Sequence, residues 1–304
     1  MPTKLIVFLS TTVLLALVYG YFLNAFSVSN DYFYLTLLVI TGVIFLALFL
    51  VQCLLVVEQR TGLILIIIQT ISFCLFSYSA IAGKSSGVLI LIGLALILFL
   101  ALYDGYYNGR REVTNMISIR FFQVRKTVLR RAFLGLSIFS VLIYTSSIDL
   151  NKFTFSRGFF EYFSNPIALG GRFLVKDFST SMTVGQLFEK IAAKDTEDKE
   201  IKNQIIANLV DKISEMTKIR INLQWEISQA FSEVSNYQLK RLPDPWKTPL
   251  LIGLGVVLLL FITGFTFIFI WIIGFLAWLI YRLLLRSKFI KIIYQSKTTE
   301  AIIV

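Results

Sequence analysis

The sequence predicts an all-α, polytopic helical membrane protein with about six spans and one extramembrane helical domain. Three observations carry that expectation. Hydrophobic residues make up 57% of the chain and charged residues only 15%, well below the roughly 25% charge of a soluble domain. The apolar residues come in blocks rather than stripes, and several blocks reach the roughly 18–20 residues that hydrocarbon requires. The net charge of +11 is crowded into two short stretches beside such blocks. That placement fits loops facing anionic lipid rather than a nucleic-acid surface, so membrane lipids are expected as partners and nucleic acid is not.

The region 1–148 reads as a five-span membrane unit. Its first four apolar runs are Leu5–Phe26, Phe33–Val57, Leu63–Ala82 and Val88–Tyr107. Lys4 precedes the first run, but the run exceeds the apolar core of a signal peptide and no A-x-A site follows, so it is expected to be retained. The links Ser27–Tyr32, Glu58–Gly62 and Gly83–Gly87 are short, which makes neighbouring helices antiparallel.

A basic segment, 108–131, separates the fourth run from the fifth, Ala132–Ile148. Arg110, Arg111, Arg120, Arg125, Lys126, Arg130 and Arg131 are opposed there only by Glu112, and are the candidate lipid headgroup-binding residues. Val113, Ile117, Phe121, Val124 and Val128 recur at helical spacing as one apolar face. Two readings stand: a helix lying in the interface, each cation contributing about 1 kcal/mol near an anionic surface, or ordinary topology signal. Lys4, Arg60 and this segment fall on one side if the N-terminus is cytoplasmic, which puts residues 149–247 outside a cell membrane.

Residues 149–247 are expected to form the helical extracytoplasmic domain. An aromatic stretch, Phe153 to Phe163, opens it, and Thr183 with Gln186 spells a capping box. A helix from about Glu197 to Lys218 presents Ile201, Ile205, Leu209, Ile213 and Met216 on one face, a surface for a protein partner or for the domain's own core. Ile219 to Ile227 alternates like a strand but has no evident partner, so a break near Arg220–Leu223 and a further helix to about Leu242 are preferred. Pro243, Pro245 and Pro249 then interrupt the chain, and Trp246 marks its return to the membrane.

The last membrane segment, 248–287, is either one long span or a hairpin, followed by a basic tail, 288–304. As one helix, Leu250–Leu285 would measure roughly 54 Å against a hydrocarbon core near 30 Å. A hairpin turning near Thr263–Gly264 would put Arg282, Arg286, Lys288, Lys291 and Lys297 outside. The positive-inside rule favours the single helix.

Chemistry is more easily excluded than assigned. Histidine is absent, and Cys53 and Cys74 lie inside apolar runs, so neither a His/Cys metal site nor a disulfide framework is expected. Gly83-Lys84-Ser85-Ser86-Gly87 matches the spacing of a nucleophile elbow without the strand or the histidine that motif needs. It also mimics the close of a P-loop, but Tyr78 stands where that loop requires glycine. Asp104, an acid near the end of a span, is expected to pair with Arg110 and Arg111. Gln52 and Gln69 are long polar side chains inside early spans, each expected to bond across the bundle for roughly 0.6–2 kcal/mol. No charge sits centrally in a span, which disfavours an ion-coupled carrier. The expectation is a non-enzymatic anchor or assembly subunit of an envelope protein complex, with no catalytic, cofactor or metal residue. The alternative is a channel or uncoupled transporter for a small or lipid-like solute, lined by Gln52, Gln69, Ser72, Ser77 and Asn24.

Overall fold

The computed structural model describes residues 3–81, 87–115, 121–148, 154, 160, 175, 178–196 and 198–289. The chain divides into two compact units, Met1–Ile148 with Leu251–Val304, and Asp149–Leu250. Among the described residues all regular structure is helical, and seven helices are long and apolar enough to cross a membrane. The protein is an all-α polytopic membrane protein.

The first unit is a bundle of α1 (Thr3–Ser29), α2 (Tyr32–Leu55), α3 (Gln59–Ile81), α4 (Gly87–Asn115) and α5 (Phe121–Ser147), joined by the membrane portion of α9 (Asp244–Gly264) and by α10 (Thr266–Arg286). Asn30, at φ 54°, adopts the left-handed conformation that closes α1 and donates its N–H to the Phe26 carbonyl at 2.8 Å. Asp31 then caps α2 by accepting from the Phe33 N–H at 2.9 Å. α2 is the central helix: every residue from Phe45 to Cys53 is buried, as expected of a helix that is apolar all round.

Small residues set how closely the helices approach. A methyl group on Gly20 would lie 2.6 Å from the Phe73 carbonyl oxygen, so the Ala16–Gly20 pair seats α1 on α3. Gly105 and Gly109 do the same for α4 against α5, where an added methyl on Gly109 would meet Val128 Cγ2 at 2.3 Å. Lipid tails offer no hydrophobic force between helices, so such close backbone packing is what holds them.

Among its described residues the basic segment is not one continuous helix. α4 runs on to Asn115 and α5 begins at Phe121, so the segment's described residues are the ends of two packed helices. Phe121, Val124 and Val128 are buried rather than turned to lipid. Ile117 and Arg120 lie outside the described residues, as do residues 82–86, most of the aromatic stretch and the residues beyond Phe289.

The last apolar run breaks at Phe265, whose N–H bonds only three residues back, to Ile262, at 3.2 Å. Thr263 weakens the preceding turn by donating its hydroxyl to the Leu259 carbonyl at 2.8 Å. The break does not reverse the chain. Along α5, Thr145 meets Gly255, Phe133 stacks on Phe269 at 5.5 Å, Arg125 meets Gly274, and Phe121 stacks on Tyr281 at 5.7 Å. Descending numbers on α5 thus pair with ascending numbers on α9 and α10, so these two helices follow one path antiparallel to α5. The Lys4 ammonium, 5.9 Å from the Phe289 ring centroid, closes the same end. Lys4, Arg110, Arg125 and Phe289 therefore share the basic end of the bundle. Ser27, Asn30 and Tyr144 share the other, where the Tyr144 hydroxyl donates to Asn30 Oδ1 at 3.1 Å.

The second unit contains α6 (Val184–Asp195), α7 (Lys199–Thr217) and α8 (Ile227–Lys240). Thr183 and Gln186 make the capping box at the start of α6. The alternating stretch before α8 does find a partner. Glu226 forms an antiparallel bridge with Thr183, and the bonds around it are two-fold related. Val184 N–H donates to the Trp225 carbonyl at 2.9 Å and Ile227 N–H to that of Met182 at 3.0 Å. Gly185 N–H donates to Leu223 at 2.9 Å and Ser228 N–H to Thr180 at 3.2 Å. Each residue corresponds to one 43 positions later, and the sequence echoes it: Val184 with Ile227, Gln186 with Gln229, Phe188 with Phe231, Ile191 with Val234.

Candidate functional site

Three places bring polar or receptive groups together. The first is a buried trio at the centre of α1, α2 and α3. Gln69 Nε2 donates to Gln52 Oε1 at 2.7 Å and to Thr12 Oγ1 at 2.9 Å, while the Thr12 hydroxyl donates to the Leu9 carbonyl at 2.8 Å. All three side chains have no exposed surface. Gln52 Nε2 and Gln69 Oε1 are left without partners. Thr12 was not legible beforehand, because a lone threonine in an apolar run carries no pattern. The other polar residues of the early spans do not converge on the trio. Ser72 and Ser77 donate back into their own helix, to the Ile68 and Phe73 carbonyls at 2.8 Å, and Asn24 Oδ1 is buried without a partner. Edge-to-face rings pack the neighbouring core, with Phe73 5.3 Å from Tyr19 and 4.8 Å from Phe45.

The second is the basic end, where the candidate headgroup residues fall into different environments. Arg111, Lys126 and Arg130 are exposed. Arg110 caps the end of α2, with Nη1 donating to the Cys53 and Leu54 carbonyls at 3.4 and 3.3 Å. Arg131 pairs with Asp104, correcting the expected pairing with Arg110 and Arg111. The reason is the tight α4–α5 packing at Gly105, which brings Arg131 beside the Asp104 carboxylate, where Asn108, one turn along α4, also donates at 2.6 Å. Glu112 accepts from the Thr127 hydroxyl.

Arg125 differs from all of these. Its side chain is only 8% exposed, and Nε and Nη1 are buried without a hydrogen-bond partner. Its guanidinium lies 4.5 Å from the Trp271 ring centroid and 5.1 Å from that of Phe122. The arm occupies a notch at Gly274, where an added methyl would fall 1.9 Å from Cδ. Trp271 and Gly274 had no sequence signal, since aromatic and small residues abound in the last run.

The third place is an apolar hollow of about 260 Å³ in the second unit, lined by Val184, Phe188, Ile213, Ile221, Ile227 and Phe231 among others. It lies where the two-fold related helices meet α7. Ile206, Leu209, Val210 and Ile213 of α7 pack on the cluster of Val184, Phe188 and Ile221. Of the expected partner-binding face, Leu209 and Ile213 thus turn inward, Ile205 is half-buried, and Ile201 and Met216 are 46% and 74% exposed. No residue of α7 is fully buried.

Among the described residues no cluster of acidic, cysteine or histidine side chains has the makings of a metal site. The chain matches no protein-family model, no curated protein and no solved structure.

Proposed function

We propose that the protein is a non-enzymatic membrane component that anchors or assembles an envelope protein complex in the cell membrane. Its helical second unit, outside the membrane, would dock a protein partner, and its basic end would face the cytoplasm among anionic headgroups. One observation carries this reading: the bundle centre is filled by side chains, with Phe45, Phe49, Phe73 and Phe139 fully buried, Gln69 bonded to Gln52, and Ser72 and Ser77 bonded back into their own helix. A packed centre suits an anchor. The exposed Ile201 and Met216 on α7 supply an apolar surface for a partner.

The competing reading, a channel or uncoupled transporter, draws on one observation, the unpartnered Gln52 Nε2 and Gln69 Oε1. Purification of the full chain from its native membrane in mild detergent separates the two. The anchor reading expects a stoichiometric protein partner that is lost in the Ile201→Glu, Met216→Glu variant. Isolation of the chain alone, together with solute flux in reconstituted vesicles, would overturn it. Labelling a single cysteine at Thr196 in intact cells tests orientation, and reaction only after lysis would put the second unit in the cytoplasm.

A further inference from the structure

We infer that Arg125 is the centre of a discrete binding site for an anionic phosphate, supplied by a lipid headgroup. The inference deepens the anchor reading and takes from it only that the basic end meets the headgroups. A buried guanidinium without a counter-charge is costly, because desolvation removes the water that stabilised it and nothing replaces that water. Aromatic faces on Phe122 and Trp271 offset part of this cost through cation–π attraction. They supply no acceptor, and among the described residues no carboxylate pairs with Arg125.

The surroundings say which anion fits. Phe122 and Trp271 are each about half exposed, at 52% and 51%, so the rings that hold the guanidinium also face outward. Ile268, Ile272 and Phe275 continue that outward apolar surface along α10. Lys126 is exposed on the adjoining position of α5. A cation beside an apolar wall matches a molecule whose phosphate carries acyl chains, whereas free phosphate would gain nothing from the wall. The Gly274 notch fixes the arginine arm, so this guanidinium is held in place, whereas Arg111 and Arg130 are exposed.

The test is native mass spectrometry of the delipidated full-length protein in detergent, titrated with phosphatidylglycerol, phosphatidylcholine or inorganic phosphate. The expected result is one phosphatidylglycerol bound in preference to phosphatidylcholine, with inorganic phosphate failing to displace it at equal concentration. Arg125→Gln should weaken that binding roughly tenfold, the effect of losing one charge-assisted hydrogen bond. Gly274→Ala keeps the charge but evicts the arm, and should weaken it comparably. Lys126→Gln should change it by no more than about twofold. Equal binding of both lipids, displacement by inorganic phosphate, or unchanged affinity in both variants would overturn the inference. So would loss of a co-purifying protein, rather than of lipid, on Arg125→Gln, because the counter-charge would then be that partner's carboxylate. Partner retention through Ile201 and Met216 is read separately, so loss of lipid preference with the partner retained leaves the anchor reading standing.

Discussion

α2 and α7 are both long helices rich in isoleucine, leucine and valine, yet α2 is buried without interruption from Phe45 to Cys53 while α7 has no fully buried residue. The difference reflects two solvents. In the bundle, lipid solvates apolar side chains as well as protein does, so helices associate where side chains are missing or polar: Gly20, Gly105, Gly109, and the Thr12–Gln52–Gln69 trio. In the second unit, water drives association, and a few large side chains such as Phe188 carry the core.

Substitutions can break that contrast. Phe188→Ala should have the largest effect, destabilising the second unit by about 3–4 kcal/mol. Limited proteolysis should then cut within residues 178–242 while the bundle stays intact. Gly135→Leu follows at about 2–3 kcal/mol through overpacking, because even a methyl there would approach Ala101 Cβ to 2.2 Å. It should lower the thermal midpoint of the detergent-solubilised bundle and leave the second unit's protease pattern unchanged. Gln69→Leu removes the donor to Gln52 Oε1 and Thr12 Oγ1 and should cost about 1–2 kcal/mol. Adding Gln52→Leu should recover part of that loss, and a double-mutant cycle on thermal midpoints measures the coupling. Asp104→Asn is the smallest, below about 0.5 kcal/mol, because its pair with Arg131 is half exposed.

Much of the bundle was legible in advance because the length of an apolar block is set by bilayer thickness, and α1 to α4 fall on the runs read from composition. The capping box at Thr183 was legible for a similar reason: its chemistry is local. What escaped depends on residues distant in sequence. Glu226 pairs with Thr183, Arg131 with Asp104, and Arg125 with Gly274 and Trp271. The face of α7 illustrates the limit. The five-residue stripe from Ile201 to Met216 is a sound helical pattern, but the packed stripe is Ile206, Leu209, Val210 and Ile213. Both are compatible with 3.6 residues per turn, and the position of the Val184, Phe188 and Ile221 cluster chooses between them.

The central claim is that α9 and α10 descend together along α5, bringing both ends of the described chain to the basic end. Paired cysteines in a Cys53→Ser, Cys74→Ser background test it directly. A methyl on Gly255 would lie 3.9 Å from Thr145 Cβ, a separation that suits a disulfide, so Thr145→Cys with Gly255→Cys should cross-link on oxidation. Phe121→Cys with Tyr281→Cys, near the opposite end of the same helix, should be joined by a short bifunctional thiol reagent. If the first pair links while Tyr281→Cys couples instead to Thr145→Cys, the chain reverses at Phe265 and the account is wrong.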